Sequence, residues 1–457
     1  MTVTASALVV SARAVGVNHP QAEAQALDLA EKAIALRSVR GPGNQTPQVA
    51  ALYKGALLAG GWAPEEITIS PVDDTAYLIA RWPGSEPTLK PFVISGHMDV
   101  VEARPEDWKR DPFTPVVENG YLFGRGATDM KLSGCVAIAS LIELRREGYR
   151  PRRDIVIEFS GDEETTMKTS AIIADKFADA DLVLNIDSGG GLLNEKTGSP
   201  EYFAWEGAEK TYADFDLTVT NPGGHSSEPR AVNAIDELAT ALLRIKNHPF
   251  PPELNDLTRA YFTNAARYED ATTAAAMRAF AADPTDKQAI ATLSANPAKV
   301  GKIGTTCVVT MIKGGHALNA LPQRASANVN CRIFPGHKPA EILADLVRIV
   351  ADPAVSIKDV TEGSVSTDAS PMRPDFAAAV NKALAASYPG VPNFPAMSSG
   401  ASDSMWFRNH GVASYGANPM FIKASENFSH GLNERTPIAN IAPAVDFYLS
   451  IVPDLSK

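Results

Sequence analysis

Histidine and acidic residues follow short apolar segments at several separate places in the chain, where side chains can meet at one edge of a sheet. Six of them together have the composition of a hydrolytic site with two metal ions. They are His97, Asp129, Glu163, Glu164, Asp187 and His430. Imidazole nitrogens and carboxylate oxygens are both zinc ligands, so the residue types alone indicate metal-assisted hydrolysis.

Each of these segments also has an ordinary explanation when it is taken alone. His97 can be a simple loop histidine, although Asp99, two residues later, is placed to orient a metal-bound imidazole. Asp129 precedes a helical segment and can be its N-cap. The three carboxylates at 162–164 repel one another unless a cation offsets their charge. Taken jointly, the segments favour a metal site.

Length and composition narrow the class of protein. The 457 residues, of which 45% are hydrophobic, can form two or three domains. The net charge of −11 argues against a nucleic-acid partner, because phosphate binding requires a basic surface. The three cysteines, Cys135, Cys307 and Cys331, are too few and too scattered to predict a disulfide framework or a thiolate metal site.

The sequence predicts no membrane span, since no stretch reaches the roughly 18 consecutive apolar residues of a transmembrane helix. Residues 5–15 are mildly apolar but lack the basic start and the small-residue cleavage site of a signal peptide. We therefore expect a cytoplasmic protein. If an export signal preceded this numbering, a periplasmic or secreted location is the alternative.

Two patterns of hydrophobic residues divide the chain. In the first part, buried-strand runs at 92–94, 155–159 and 182–186 alternate with helical spacing. This pattern predicts an α/β fold in which a mixed sheet is flanked by helices. After about residue 209 the order becomes β-α-β-β-α-β, which is the ferredoxin-like plan. Its segments are 215–219, 235–245, 305–313, 325–333, 342–349 and 355–360.

The domain organisation follows from where His430 lies. Residues 249–304 are rich in Ala and polar residues and predict a helical insertion. Because His430 comes after the ferredoxin-like segments, the metal-binding domain must be split. We predict that residues 1–208 and 364–457 form the catalytic domain and that 209–363 form an inserted lid and dimerisation domain.

The order of the motifs resembles the dizinc exopeptidases and aminoacylases, metallopeptidase family 20, over about residues 27 to 449. The branch with carboxypeptidase S and the N-acyl amino acid hydrolases is the most similar. The resemblance implies a zinc-exopeptidase-like catalytic domain and a ferredoxin-like α+β lid. It rests on Gly-His-Met-Asp-Val-Val (96–101), Gly-Arg-Gly-Ala-Thr-Asp-Met-Lys (124–131), Asp-Glu-Glu (162–164), Asp187, Gly-Gly-His-Ser-Ser (223–227) and His-Gly-Leu-Asn-Glu (430–434).

The resemblance also implies a role for each residue of the candidate site. Asp129 would bridge two Zn²⁺ ions, with Co²⁺ or Mn²⁺ as alternatives, and a cis peptide would follow it. Glu163 would be the general base. Asp99 would accept the other ring N–H of His97 and so fix the tautomer of that ligand. The remaining ligands would be His97 and Asp187 for one ion, and Glu164 and His430 for the other.

Substrate binding would involve the inserted domain. His225 would stabilise the oxyanion in the active site of the other subunit, so a homodimer is expected. Arg332, on the polar face of its strand, would bind a substrate carboxylate. Both can instead be ordinary surface residues. Asn319 would lie near the same carboxylate, and Gly400 would belong to a loop lining the pocket.

These features predict a zinc-dependent hydrolase that cleaves an amide bond and releases a free amino acid from short peptides or N-acyl amino acids. Peptidase and N-acyl amino acid deacylase (aminoacylase) both remain open, because they present the same bond to the metals and differ only in the group beyond it. A catalytically silent binding protein of the same fold is the third alternative. The presence of Glu163 with all five ligands argues against it.

Overall fold

The computed structural model describes residues 19–457, so residues 5–15, considered above as a signal peptide, lie outside the described residues. Its α-helices are α1 (Pro20–Ile34), α2 (Thr46–Ala59), α3 (Lys131–Arg146), α4 (Lys168–Lys176), α5 (Ala234–Lys246), α6 (Asp256–Ala265), α7 (Ala271–Ala282), α8 (Lys287–Ser294), α9 (Pro297–Val300), α10 (Pro339–Val350), α11 (Pro374–Ser387), α12 (Ser404–Asn409) and α13 (Ile441–Leu455).

The β-strands form two main sheets and two small ones. They are β1 (Ile67–Val72), β2 (Thr75–Trp82), β3 (Phe92–His97), β4 (Val116–Glu118), β5 (Tyr121–Phe123), β6 (Ile155–Ser160), β7 (Leu182–Asn185), β8 (Gly190–Leu193), β9 (Pro200–Glu209), β10 (Thr211–Thr220), β11 (Gly224–His225), β12 (Thr306–Gly314), β13 (Ala320–Leu321), β14 (Arg324–Ile333), β15 (Val355–Asp359), β16 (Asn393–Ser398), β17 (Ala413–Gly416), β18 (Phe421–Lys423) and β19 (Arg435–Pro437).

The larger sheet has ten strands in the order β1-β2-β6-β3-β7-β17-β9-β8-β18, with β16 beside β9. Strands β6, β3 and β7 are parallel neighbours whose side chains are buried along their whole length. Parallel neighbours end at the same edge of a sheet, so the loops that follow these strands lie together. The predicted mixed sheet flanked by helices is confirmed.

Helix α3 fixes the geometry on one side of this sheet. Every residue from Lys131 to Leu144 is buried, because the helix packs between the strands and helices α1 and α13. Its Gly134 allows close approach to β6, since a Cβ atom there would lie 2.9 Å from the Phe159 ring. The Lys131 ammonium donates to the carbonyls of Ala33 and Leu36, each at 2.9 Å, and so caps the end of α1.

The segment Ile438–Leu455, which contains α13, is long and apolar enough to cross a membrane by length and composition alone. Half of it is buried within the fold, where α13 packs against α1, α3 and α11. Its apolar composition is therefore explained by its position in the core.

The smaller main sheet is antiparallel, in the order β12-β14-β10-β15, and helices α5 and α10 pack on one face of it. Side chains alternate between buried and partly exposed along β10 and β14, as a sheet with one covered face requires. Phe215, Leu217 and Val329 lie at the centre of its core. The predicted ferredoxin-like unit is confirmed, whereas its exact boundaries at 209 and 363 stay a prediction.

Helices α6 to α9 lie within the predicted insertion 249–304, and an Asn or Asp side chain caps the start of each. Buried apolar side chains of α6, α7 and α8 form one cluster with Phe394 and Ala396 of β16. The insertion therefore packs on the catalytic sheet rather than on the ferredoxin-like sheet whose strands flank it in sequence. That difference depends on tertiary contacts that a sequence pattern does not reveal.

The cysteine interpretation was wrong in one respect. Cys307 and Cys331, which are 24 residues apart, form a disulfide between directly opposite positions of β12 and β14. Their spacing in sequence carried no sign of this pairing, because strand register brings them together. Cys135 is buried and free, as expected for a cysteine inside α3.

Candidate metal centre

The five predicted metal ligands come from five separate segments that meet at one edge of the large sheet. His97 is the last residue of β3, while Glu164 and Asp187 follow β6 and β7. Asp129 precedes α3, and the predicted cis peptide bond between Asp129 and Met130 is present. His430 lies in the loop before β19 with a φ of 60°, a conformation that is uncommon for residues other than glycine.

The carboxylate of Asp129 lies at the centre of this cluster. Its Oδ1 is 3.1 Å from Nε2 of His97, and its Oδ2 is 3.2 Å from Nε2 of His430. On one side, Oδ1 of Asp187 lies 3.4 Å from the His97 nitrogen; on the other, Oε1 of Glu164 lies 3.0 Å from the His430 nitrogen. The site thus consists of two similar halves that share Asp129.

This donor set fits two divalent cations. Each half offers one imidazole nitrogen and one carboxylate oxygen in addition to its share of Asp129. The candidate ligand atoms of His97, Asp129 and Glu164 all lie within 4.8 Å of one another. Carboxylates gathered in a buried site destabilise the fold unless positive charge compensates them, and two metal ions would supply that charge.

Without metal, the two histidines carry the compensating charge. Hydrogen bonds with Asp129 and Glu164 raise the pKa of His430 to about 10. Burial by itself lowers the pKa of His97, but Asp187 and Asp129 outweigh burial and raise it well above its usual value. Burial raises the pKa of Glu164 to about 7 despite its bond with His430. Metal binding would therefore displace protons from the imidazoles.

The side chain of Asp99 holds the acidic loop, whereas its backbone carbonyl contacts the ligand histidine. Its two carboxylate oxygens accept hydrogen bonds from the backbone N–H groups of Glu163 and Glu164, each at 3.1 Å. The closest contact to Nδ1 of His97 is the Asp99 backbone carbonyl at 3.0 Å, while the nearer carboxylate oxygen is 3.6 Å away. The carbonyl therefore orients the imidazole, because the carboxylate is committed to the loop.

Glu163 and Glu164 are adjacent but differ in their surroundings. The side chain of Glu164 contacts His430 at 3.0 Å, in one half of the metal cluster. Burial raises the pKa of Glu163 well above its usual value, and Asp187 and Asp403 add to the increase. A carboxylate whose pKa is raised holds a proton more readily, which suits a group that must accept a proton and return it.

Glu434 is a structural part of the site to which the sequence pattern gave no role. Its fully buried carboxylate accepts hydrogen bonds from Arg125 Nη1 at 2.6 Å and from the backbone N–H groups of Gly126, Thr128 and Asp129 at 3.1, 2.6 and 3.0 Å. It thereby joins the loop of His430 to the loop of Asp129. The signal in sequence was its place at the end of the His-Gly-Leu-Asn-Glu motif, four residues after His430.

Arg332 lies in the ferredoxin-like sheet, directly opposite Tyr212 in the register of β10 and β14. Its guanidinium carbon is 4.8 Å from the centre of the Tyr212 ring, an arrangement that permits a cation–π contact. Burial lowers the pKa of Arg332. No acidic side chain in residues 19–457 forms an ion pair with it, although Tyr212 and Asp214 partly oppose the effect of burial on its pKa.

The structure brings His225 and Asn319 together, because the Ser226 N–H donates to the Asn319 carbonyl at 3.0 Å. Both residues are exposed, and no hydrogen bond or ion pair within the described part of the chain joins either one to the metal cluster. Gly400 lies between β16 and α12, and its N–H donates to Ser398 Oγ at 3.1 Å. It does not line the cavity beside the metal cluster.

Glu434→Gln should lower metal affinity by roughly 10–100-fold, the usual effect of removing a group that orients metal ligands. The neutral amide would lose the charge that pairs with Arg125 and would turn an N–H donor towards backbone donors. Calorimetric zinc titration would measure the change. Glu426→Gln, which alters a half-buried acid bound to Tyr121, is the matched control. Equal affinity in both variants would show that Glu434 does not position the site.

Comparisons with known proteins agree with this geometry. The model of "Peptidase family M20/M25/M40" matches residues 93–454. The chain is 28% identical to a probable carboxypeptidase S-like 2 of Dictyostelium discoideum, covering 83% of this chain and 74% of that protein. It is 29% identical to the N-fatty-acyl-amino acid synthase/hydrolase PM20D1 of Xenopus tropicalis, covering 81% and 73%.

A solved structure shows the same fold. The M20 family metallo-carboxypeptidase Sso-CP2 from Sulfolobus solfataricus superimposes with a TM-score of 0.73 at 18% identity, covering 94% of this chain and 98% of that one. The family match extends over most of the chain, from the second residue of β3 into the last helix, α13. The chain belongs to peptidase family M20/M25/M40 and is a metal-dependent hydrolase.

Proposed function

We propose that this protein is a dizinc amidohydrolase that releases a free amino acid from short peptides or N-acyl amino acids. The observation that carries the proposal is the Asp129 carboxylate, with one histidine at each oxygen and one further carboxylate beside each histidine. Relatives named as a carboxypeptidase S-like protein and as an N-fatty-acyl-amino acid hydrolase support this substrate class.

The metal ligands divide into two sets. His97 and Asp187 would hold one ion, His430 and Glu164 the other, and Asp129 would contact both. Two bound zinc ions would polarise the amide carbonyl and make a water between them more acidic. Cobalt or manganese would suit the same nitrogen and oxygen donors.

The protein's own side chains would perform the remaining steps. Glu163 accepts a proton from the attacking water and passes it to the leaving nitrogen. Between these two transfers its carboxyl group carries the proton, and burial of the group favours this protonated form. Arg332 binds the carboxylate of the amino acid to be released. Its guanidinium already stacks on Tyr212, so the side chain loses less conformational freedom when the carboxylate binds.

Glu163→Gln should retain both metals and lose about 10²–10⁴ of turnover, because the amide cannot accept a proton. Activity would be measured on a dipeptide and an N-acyl amino acid, and metal content by mass spectrometry. Glu164→Gln is the matched control, since it should lose metal as well as activity. Turnover that survives in Glu163→Gln would reject this base and would reopen the assignment of the two glutamates.

Arg332→Ala should raise KM for substrates with a free carboxylate by about 100-fold relative to the same compounds as amides, since truncating one partner of a buried charge pair costs about 2–5 kcal/mol. Steady-state kinetics on acid and amide pairs would test this. Arg324→Ala changes an arginine on the same face of β14 and bound to Thr218, so it is the control. Equal losses on acids and amides would exclude the carboxylate anchor.

We further propose a homodimer formed through the edge of the ferredoxin-like sheet. Strand β12 lies at that edge and exposes Val308, Met311 and Ile312, while the adjoining α5 exposes Ile235 and Leu243. An open apolar edge commonly pairs with another strand, and pairing with a second copy would cover it. Such a dimer would allow the exposed His225 to complete the partner's site.

Disrupting the exposed edge tests the dimer. Ile312→Glu should yield monomers in sedimentation experiments.

Mixing two inactive variants tests whether His225 acts across the dimer. His225→Ala should lower kcat by about 10²–10³, because it removes the proposed oxyanion donor. A mixture of His225→Ala and Glu163→Gln subunits should regain activity, because one mixed site has both groups. If exchanged subunits stay inactive, His225 does not act across a dimer.

We also propose that the protein resides in the periplasm or is secreted. Structural disulfides persist in oxidising compartments and are rare in the cytosol. The Cys307–Cys331 bond therefore favours the periplasmic or secreted alternative over the expected cytoplasmic location.

A further inference from the structure

A cavity of about 450 Å³ opens directly beside the metal cluster, with Asp129 and Asp187 at one end. Its size falls within the range of about 300–1,000 Å³ that small-molecule sites occupy. Its lining residues come from the catalytic sheet, its loops and the helical insertion, and none comes from the ferredoxin-like sheet that carries Arg332. The cavity is therefore separate from Arg332, the proposed carboxylate anchor.

Part of the cavity wall is apolar and aromatic, although polar side chains also line it. The apolar and aromatic part includes Leu192, Tyr202, Tyr261, Ala396, Met420 and Ile422. Phe394 packs behind both tyrosines, with ring centroids 4.9 Å from Tyr202 and 6.3 Å from Tyr261. This aromatic contact lies where the insertion meets β9 and β16, so the insertion helps to fix the shape of the cavity.

Two charged residues, Lys302 and Glu206, also line the cavity. The Lys302 ammonium donates to the Met397 carbonyl at 2.7 Å and lies 5.0 Å from the centre of the Tyr261 ring. Since an ammonium has three donors, it retains capacity for a ligand. Glu206 accepts from the Gly189 N–H at 3.3 Å. Within residues 19–457, no hydrogen bond or ion pair joins these two side chains directly.

We propose that this cavity binds the acyl side of the scissile amide and selects acyl groups that end in a carboxamide. The proposal rests on the proposed function, in which Arg332 holds the carboxylate at the other end of the substrate. A carboxamide oxygen can accept from Lys302 while its NH₂ group donates to Glu206. The apolar walls contact the methylene groups between this end and the reacting carbonyl.

Other acyl ends fit this pair of charges less well. A hydrocarbon end removes water from Lys302 and Glu206 without replacing its hydrogen bonds, and each unsatisfied charged group is costly. A carboxylate end can bind Lys302 but meets the negative charge of Glu206. An ammonium end can bind Glu206 but meets the positive charge of Lys302. The uncharged carboxamide satisfies both residues, so it should be preferred over isosteres of either kind.

The test uses N-acyl leucines whose acyl chains have equal length and end in a carboxamide, a methyl group or a carboxylate. The zinc-loaded enzyme should have a kcat/KM at least about 10-fold higher for the carboxamide, as one satisfied charged hydrogen bond is worth about 1.5–3 kcal/mol. Lys302→Met should reduce this ratio several-fold, whereas Lys287→Met, on an exposed part of the insertion, should leave it unchanged.

A binding measurement separates this proposal from the proposed function. Calorimetry of the same three compounds with Glu163→Gln reports their affinities without turnover, and thermal melting checks that each variant is folded. The carboxamide should bind most tightly, and Lys302→Met introduced into that background should remove the difference. Equal affinities for the three ends, or a preference that survives Lys302→Met, would overturn the cavity assignment. Carboxamide-selective binding with no hydrolysis of any compound would instead contradict the proposed function alone.

Discussion

The structure depends on compensating the negative charge that gathers around Asp129. Asp187 and Glu164 lie on either side of this half-buried carboxylate, and Glu163 is adjacent to Glu164. Mutual repulsion among these acids destabilises the fold unless cations are present. The raised pKa values of the two histidines favour their positively charged forms when no metal is bound. Two metal ions would supply positive charge more strongly. The repulsion between these acids also explains why hydrogen bonds hold the loops that carry them.

Several parts of the fold serve to hold these acids in place. Parallel strands β3, β6 and β7 bring the loops that follow them to one edge of the sheet. The Asp99 carboxylate fixes the acidic loop by accepting hydrogen bonds from the backbone of that loop. Glu434 fixes the Asp129 loop in the same way from the other side. Each anchor is a carboxylate bound to backbone N–H groups. Such contacts orient the ligands without competing with the metals for the ligand oxygens.

The sequence was sufficient to predict the two sheets and to select the residues that form the cluster, because strand ends, glycine turns and ligand types are local features. It could not reveal relationships that depend on tertiary contacts. Examples are the Cys307–Cys331 disulfide, which strand register determines, and the packing of the insertion against Phe394. Glu434 was part of a recognised motif, but its role depends on a loop some 300 residues away. Whether His225 completes a second subunit stays a prediction.

The central claim is that Asp129 joins two metal ions, one in each half of the site. Anomalous X-ray scattering from zinc-loaded crystals tests it most directly. The account predicts two peaks about 3.5–4 Å apart, one on either side of the Asp129 carboxylate, as in other two-metal sites. A single peak, or peaks that lie away from His97 and His430, would contradict it.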